Sequence, residues 1–160
     1  MKIAVGTDHR GAQAMEHIIS ALEHKGHDVT VIGSCDHSIC DYPDTAYPVA
    51  MAVANGQVDR GILACGSGIG MSIAANKVHT VRAALVHDEI GAEQSRSHND
   101  ANVLCLPADL LGMRLMLRII DTWITTEFIG GRHARRIRKI TAIEQGGNPA
   151  DINDTADLLS

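Results

Sequence analysis

Short apolar runs alternate with amphipathic stretches along the whole chain. Continuous aliphatic runs of this length are typical of strands buried on both faces of a sheet, and they cover residues 2–6, 27–33, 60–65, 81–87 and 102–107. After the first run, apolar residues recur at helical spacing from Met15 to Leu22, and Gly26 follows as a helix end. The same alternation predicts further helices over residues 46–55, 69–77, 88–97 and 109–127, and a final helix within 129–145.

Repeated strand–helix units predict a parallel sheet with helices on both faces. A chain of 160 residues is long enough for one such core and short for two. We therefore expect a single-domain α/β fold with a doubly wound, five-stranded parallel sheet, formed by residues 1–147, and a C-terminal extension over 148–160. In this architecture the loops after the carboxyl ends of the strands meet at one edge, where ligands bind.

Composition narrows the range of partners. The formal charge is −5, with 14 basic and 19 acidic residues, which is the wrong sign for gripping a nucleic acid backbone. Aromatic residues make up only 2% of the chain, so stacking surfaces for single strands are not expected either. The chain reaches Asp8 before any apolar stretch of signal-peptide type, and no run has bilayer length. We expect a cytoplasmic protein with no nucleic acid or membrane partner.

The cysteines fall into two groups. Cys65 and Cys105 end or interrupt apolar runs and are typical of strand thiols in a reducing compartment. Cys35, His37 and Cys40 lie close together in "CDHSIC", but their spacing is a weak match to a metal site and no second pair follows. We predict an ordinary loop there and no metal.

The stretch "CGSGIG" after the third predicted strand carries the strongest chemical signal. Gly66, Gly68 and Gly70 leave the main chain open before a helix, so its amides can approach an anion. A dinucleotide motif is disfavoured because its last glycine would fall at Met71. The helix start beside Cys65 favours a thiolate. A thiolate base next to amide donors suits proton abstraction beside a carbonyl; a buried structural thiol is the other interpretation.

Other candidate side chains allow two interpretations each. Ser67 supplies a hydroxyl donor or is a small turn residue. Asp8 and His9, after the first strand, form a proton-shuttling pair, or Asp8 caps the following helix. Arg132 and Arg136 lie four apart on one helix face and make a fork for phosphate oxygens, or they belong to a solvated face.

His98 and Asn99 precede the fifth predicted strand, which places them at the opposite end of the sheet from the glycine loop. Either an overhanging helix end or a neighbouring subunit is needed to bring His98 to that loop. Spacing alone does not choose between these two possibilities.

Five motifs occur in order over residues 1 to about 145, namely "DHRG", "DYPD", "CGSGIGMSIAANK", "HNDANVL" and "GGRHARR". Together they resemble the ribose-5-phosphate isomerase type B family, which also includes allose-6-phosphate and galactose-6-phosphate isomerases. The resemblance implies a Rossmann-like fold, a homodimer or homotetramer with its active site between two subunits, no metal or cofactor, and aldose–ketose isomerisation through an enediolate. The expected substrate is ribose 5-phosphate, a sugar of the pentose phosphate pathway. An allose-6-phosphate-type substrate and a non-catalytic phosphosugar-binding role are the alternatives.

The resemblance also implies roles for single residues. Cys65 would transfer the proton between C1 and C2, helped by Ser67, and His98 would be the acid that opens the sugar ring. Substrate contacts would come from the anion-hole residues Gly66, Ser67, Gly68, Ile69 and Gly70, from Asp8 and His9 near the ring oxygen, from Tyr42 and Asn99, and from Arg132 and Arg136 at the phosphate.

One position departs from the resemblance. Relatives commonly have Gly-Ala-Arg after the fifth strand, whereas this chain has "PAD", so Asp109 takes the place of a cation. A carboxylate there would repel a phosphate dianion and leave its binding to Arg132, Arg136 or Arg114. Alternatively, Asp109 caps the next helix and points away.

Overall fold

Five parallel strands form the centre of the molecule. The structure is a computed structural model and describes residues 1–34 and 39–152. The strands are β1 (Lys2–Thr7), β2 (Asp28–Ser34), β3 (Arg60–Cys65), β4 (Ala83–Leu85) and β5 (Val103–Pro107). They pair in parallel in the order β2-β1-β3-β5-β4. The helices are α1 (Ala12–His24), α2 (Tyr42–Ala54), α3 (Ile69–Ala75), α4 (Glu89–Ser97), α5 (Met113–Thr125) and α6 (Arg132–Glu144).

Alternate residues of the strands face two separate apolar layers. In β3, Ile62 and Ala64 pack with α1, α4 and α5, while Leu63 and Cys65 pack with α2 and α3 on the other face. Side chains of successive strand residues point to opposite faces, so an uninterrupted apolar run is what this environment requires. The predicted doubly wound α/β fold is confirmed.

Two predicted helix starts are wrong, both because of turn chemistry. Helix α2 begins at Tyr42, not at 46, since Asp41 has the extended conformation of an N-cap and Pro43 is tolerated in a first turn, where its missing amide is not needed. Helix α5 begins at Met113, not at 109, because residues 108–112 form a turn closed on the carbonyl of Pro107.

The strand predicted over 81–87 is shorter than expected. It forms the edge strand β4, which covers only Ala83–Leu85. Side-chain amides replace the missing ladder: Asn76 Oδ1 accepts from the Ala83 amide at 2.9 Å, and Asn76 Nδ2 donates to the Ala83 carbonyl at 2.8 Å. The amide of Arg82 donates to Asn102 Oδ1 at 2.8 Å. The outer edge of the sheet is therefore protected from further strand pairing.

The strand order creates a crevice between β1 and β3. The chain leaves β1 towards β2 and returns to β3 on the opposite side, so the loops after β1 and β3 lead to helices on opposite faces. Ligands of open α/β sheets bind at this kind of switch point, outside the carboxyl ends of the strands. We call this side of the sheet the upper edge, and the side of the strands' amino ends the lower edge.

The lower edge holds the one tryptophan of the chain. Trp123 is fully buried, and the guanidinium carbons of Arg60 and Arg96 lie 5.3 and 5.8 Å from its ring centroid. Arg60 also donates to the carbonyls of Trp123 and Ile124 at 3.1 and 2.9 Å. The two cations therefore close the bottom of the aliphatic core through their contact with an aromatic face.

Helix α6 buries little of itself against its own chain. Only His133 is buried among its residues, and Ile140 and Ile143 are exposed. A 3₁₀ turn, Pro149–Asp151, follows α6, and Lys139 Nζ donates to the Pro149 carbonyl at 2.8 Å. The extension predicted over 148–160 stays a prediction, since most of it lies outside the described residues. None of the described helices combines the length and the apolar character needed to cross a bilayer.

Candidate active site

The sulfur of Cys65 lies at the upper edge, at the carboxyl end of β3. It accepts a hydrogen bond from the amide of Gly68, with an N–Sγ distance of 3.2 Å. This contact fixes the position of the sulfur at the start of the loop. Cys65 is 4% exposed, so a ligand must enter the crevice to touch it.

The amides that follow Cys65 divide into two sets. Those of Gly68 and Ile69 are used internally, the first by the Cys65 sulfur and the second by Ser67 Oγ at 3.3 Å. Within the described ranges, the amides of Gly66, Ser67 and Gly70 have no acceptor in the protein. Of the five amides predicted to form an anion hole, three therefore remain available to a ligand and two are already engaged within the protein.

Close neighbours explain two of the glycines in this loop. A Cβ atom on Gly70 would lie 2.6 Å from ring carbons of Tyr42, and one on Gly66 would lie 2.7 Å from Oδ2 of Asp109. Side chains from the segments after β2 and after β5 thus press directly on the main chain beside Cys65. This places the ring of Tyr42 against the loop that follows Cys65.

Asp8 is buried where the loop after β1 turns into α1. Its Oδ1 accepts from the amides of Arg10 and Gly11 at 2.9 and 3.1 Å, while the Asp8 amide donates to the Ala64 carbonyl of β3 at 3.3 Å. The expectation that Asp8 caps the following helix is wrong, because the N-cap of α1 is Gly11 and no side chain caps it. Asp8 Oδ1 instead closes the turn that precedes the helix. The other oxygen, Oδ2, and the exposed imidazole of His9 remain for contacts with a ligand.

Asp109 is engaged by a cation that we did not assign from the sequence. Arg10 Nε and Nη2 donate to Asp109 Oδ2 at 3.0 and 2.7 Å. The expectation that Asp109 caps the next helix is wrong, since the N-cap of α5 is Gly112 and no side chain caps it. The expected repulsion of a phosphate is also reduced, because Arg10 compensates the charge of Asp109.

A second cluster forms at the lower edge. His98, at the end of α4, stacks on His133 with ring centroids 4.2 Å apart and an interplanar angle of 5°. An open cleft of about 430 Å³ lies beside them, lined by Ile129, Gly130, Gly131, Arg132 and His133. Burial, followed by the charges of His98, Arg132 and Arg136, lowers the pKa of His133. The guanidinium groups of Arg132 and Arg136 give the lower edge a positive potential that suits an anion.

The two clusters cannot meet within one chain. Strand β3 has six residues from Arg60 to Cys65, so its ends are about 16 Å apart at the usual rise per residue. His98 lies near the amino ends of the strands, where Arg96 Nη1 donates to the Ala101 carbonyl just before β5. The sequence-based placement of His98 and Asn99 opposite the glycine loop is correct.

The remaining cysteines differ from Cys65. Burial raises the pKa of the Cys105 thiol, with a smaller contribution from Cys65, so Cys105 stays protonated at neutral pH. Cys35 and His37 of the weak metal motif lie outside the described residues, and Cys40 is disulfide-bonded, so it offers no thiolate. Across residues 1–34 and 39–152, no three histidine, cysteine or acidic side chains are grouped as metal ligands.

Comparison with known proteins decides the family. Residues 3–140 match the protein family described as ribose/galactose isomerase. The chain belongs to that family. Ribose-5-phosphate isomerase B of Escherichia coli is 44% identical over 92% of this chain and 99% of its own. D-erythrulose-4-phosphate isomerase of Pectobacterium atrosepticum is 40% identical over 88% of this chain and 93% of its own.

Solved structures agree with the sequence relatives. The structure of Clostridium thermocellum ribose-5-phosphate isomerase B superposes with a TM-score of 0.90 at 46% identity, covering 91% of this chain and 99% of that one. The resemblance recognised from the five motifs is confirmed, and the chain is an isomerase of sugar phosphates. The geometry of this ribose/galactose isomerase is thus to be interpreted as that of a sugar phosphate site.

Two residues of the site were missed from the sequence. Arg10 stands inside the quoted motif "DHRG", and a charge opposite to the unexpected Asp109 was the available signal. His133 lies next to Arg132 and stacks on His98, but nothing in the spacing relates α6 to the end of α4.

Proposed function

We propose that this enzyme interconverts an aldose phosphate and its ketose, with ribose 5-phosphate and ribulose 5-phosphate as the leading pair and Cys65 as the proton-transferring base. The observation that carries the proposal is the Cys65 sulfur, which is held by the Gly68 amide beside the unengaged amides of Gly66, Ser67 and Gly70. Relatives named as ribose-5-phosphate isomerase B support the choice of sugar.

The proposed reaction moves one proton from C2 to C1, one proton between the two oxygens, and one electron pair. In the open-chain aldose, the Cys65 thiolate takes the proton from C2, and the C2–H electrons form a C1–C2 double bond while the carbonyl oxygen at C1 becomes anionic. The free amides donate hydrogen bonds to that oxygen. The Cys65 thiol then returns the proton to C1. The C2 hydroxyl loses its proton to give the ketose carbonyl, and the C1 oxyanion takes up a proton to become the C1 hydroxyl. In this proposal Asp8 Oδ2 and His9 transfer the proton between the two oxygens.

A second copy of the chain completes the proposed site. The sulfur and the His98–His133 cluster occupy opposite edges, so neither edge alone can bind both ends of a sugar phosphate. Helix α6 carries Arg132 and Arg136 and packs little on its own chain, which suits an arm that reaches a neighbour. In a homodimer, or a homotetramer built from such dimers, each site would combine Cys65 of one copy with His98, Asn99 and the two arginines of the other.

The two free thiols provide a matched test of the base. Cys65→Ala should lower kcat by about 10²- to 10⁴-fold, the usual contribution of a general base, and should abolish deuterium exchange at C2 in D₂O. Cys105→Ala, which removes the neighbouring strand thiol, should retain both activities. Exchange at the wild-type rate in Cys65→Ala would refute the thiol base.

Mixing two inactive variants tests the shared site. Cys65→Ala and Arg132→Ala, each inactive alone, should recover activity when unfolded and refolded together, because a hybrid dimer contains one site with neither substitution. Random pairing restores about one quarter of the sites. Absence of any recovery, with hybrids demonstrated by mass spectrometry, would exclude a site built from two copies.

The sugar itself is the least constrained part of the proposal. A relative at 40% identity is named for a four-carbon ketose phosphate, so kcat/KM should be compared for ribose 5-phosphate, allose 6-phosphate and erythrose 4-phosphate. The alternative of a non-catalytic phosphosugar-binding protein was based on the charge of Asp109, which Arg10 compensates. Tight binding of all three sugars without turnover would support that alternative. The cytoplasmic location stays a prediction.

A further inference from the structure

Arg10 and Asp109 meet across the carboxyl end of β3. The loops after β1 and β5 both lead to helices on the same face of the sheet, whereas the loop after β3, between them, turns to the opposite face. Arg10 comes from the first loop and Asp109 from the second, and their contact spans the gap. The pair therefore forms a wall of the crevice beside Gly66, the residue that follows Cys65.

The position of this wall relative to Cys65 is fixed by the main chain. The amide of Ala108 donates to the Cys65 carbonyl at 2.8 Å, and the amide of Asp109 donates to the Gly66 carbonyl at 3.0 Å. On the other side, Asp8 Oδ1 holds the amide of Arg10 at 2.9 Å. The carboxylate of Asp109 is thus held against Gly66, next to the amides that are free for a ligand.

The hydrogen bonds within the pair leave one donor and one acceptor unused. Arg10 Nε and Nη2 both donate to the same oxygen, Asp109 Oδ2. In the part of the chain that the structure describes, neither Arg10 Nη1 nor Asp109 Oδ1 has a hydrogen-bond partner. Both side chains are partly exposed, at 57% and 39%, so these groups are accessible to a small molecule.

A free donor beside a free acceptor, with no net charge, matches a hydroxyl group and not a phosphate. A hydroxyl both accepts and donates, so it satisfies Nη1 and Oδ1 together. A phosphate dianion has only acceptors and would meet the unpaired oxygen of Asp109, while the attraction of Arg10 is already offset. The wall next to the reacting carbons therefore selects a neutral polyol segment.

We propose that Arg10 and Asp109 act as one specificity-determining pair, which binds a hydroxyl of the sugar close to the reacting carbons and leaves the phosphate to another part of the site. This inference rests on the proposed function only for the identity of the ligand as a sugar phosphate. It predicts that the pair discriminates between sugars by the configuration of one hydroxyl, and that either residue without the other loses this discrimination.

The test uses non-reacting ligands, so that binding is measured apart from catalysis. Arabinitol 5-phosphate differs from ribitol 5-phosphate only in the configuration at C2, and xylitol 5-phosphate differs from it only at C3. None of the three has a carbonyl to isomerise. Calorimetry with the full wild-type chain should show that one of these ligands binds more tightly than the others. The ratio of their dissociation constants should fall about tenfold or more in Arg10→Ala, in Asp109→Ala and in the double variant, since hydrogen bonds to charged groups contribute on this scale. The double variant should lose no more than either single variant.

Inorganic phosphate and a second ion pair complete the experiment. The affinity for inorganic phosphate should stay within about twofold in the double variant if the pair does not bind the phosphate group, because that variant removes both opposite charges together. Asp121→Ala breaks the exposed ion pair with Lys25, away from the crevice, and should change neither measurement. An unchanged preference among the pentitol phosphates in Arg10→Ala and Asp109→Ala, or a loss of phosphate affinity in the double variant, would overturn the proposal. A wild-type protein that binds these ligands but isomerises no aldose phosphate would instead refute the proposed function, and the binding data would still test the pair.

Discussion

Replacing Gly68 by alanine tests whether the loop beside Cys65 needs glycine for space as well as for conformation. Gly68 has φ 72°, and a Cβ there would lie 2.4 Å from Leu85 Cδ1 and 3.1 Å from main-chain atoms of Leu106 and Pro107. The left-handed conformation costs an alanine about 1 to 2 kcal/mol. The contact with the main chain of β5 cannot be relieved by a rotamer change, and overpacking adds about 1 to 3 kcal/mol. We expect Gly68→Ala to destabilise the fold by about 2 to 5 kcal/mol in total.

Gly26→Ala is the matched control. Gly26 has φ 81°, and a Cβ there would have no atom within 4 Å, so only the conformational cost of about 1 to 2 kcal/mol applies. Urea unfolding at one protein concentration, followed by circular dichroism, gives both changes at equal m-values. Equal destabilisation of the two variants would refute the claim that a Cβ atom at position 68 has no room. If Gly68→Ala folds, its kcat should fall well below that of Gly26→Ala, because the Gly68 amide moves away from the Cys65 sulfur.

Two further predictions concern Asp8 and His133. Asp8→Ala leaves the amide of Arg10 without its acceptor, while the amide of Gly11 keeps the Asp8 main-chain carbonyl at 3.1 Å. Chemical unfolding should therefore show a loss of about 1 kcal/mol, and Asp8→Asn, which keeps an acceptor oxygen, should lose less; equal losses would contradict this role of the carboxylate. Burial lowers the pKa of His133, so its contribution to stability is complete above the ordinary value of about 6.5 and is lost as the pH falls below it. An NMR titration should place the midpoint of His133 below that value, and a midpoint at or above it would contradict the buried neutral ring.

The fold was predictable because periodicity and burial agree along most of the chain. The run predicted over residues 60–65 has no polar side chain after Arg60, since both faces of β3 are covered, and the structure has the same bounds there. The errors lie where single side chains replace regular hydrogen bonds. Asn76 substitutes for a neighbouring strand beside β4, and Pro43 extends α2 into a segment whose composition is typical of a loop.

The site was predictable only in part, for a different reason. Strand order brings the loops after β1 and β3 together, so Asp8 and Cys65 follow from the fold class alone. The contact between Arg10 and Asp109 joins residues 99 positions apart in the chain, and no periodic signal connects them. The stacking of His98 on His133 likewise depends on how α6 leaves the domain, which sequence patterns do not specify.

The burial of Trp123 at the lower edge has a practical consequence for spectroscopy. Because the chain has a single tryptophan, excitation near the red end of its absorption reports on one place only, the region between Arg60 and Arg96. Cations close to an indole ring shift its emission maximum, so displacement of either guanidinium changes the wavelength at which Trp123 emits. The protein thus carries an intrinsic fluorescent reporter at the edge of the sheet opposite to the Cys65 sulfur, and changes at the lower edge can be followed without any attached dye.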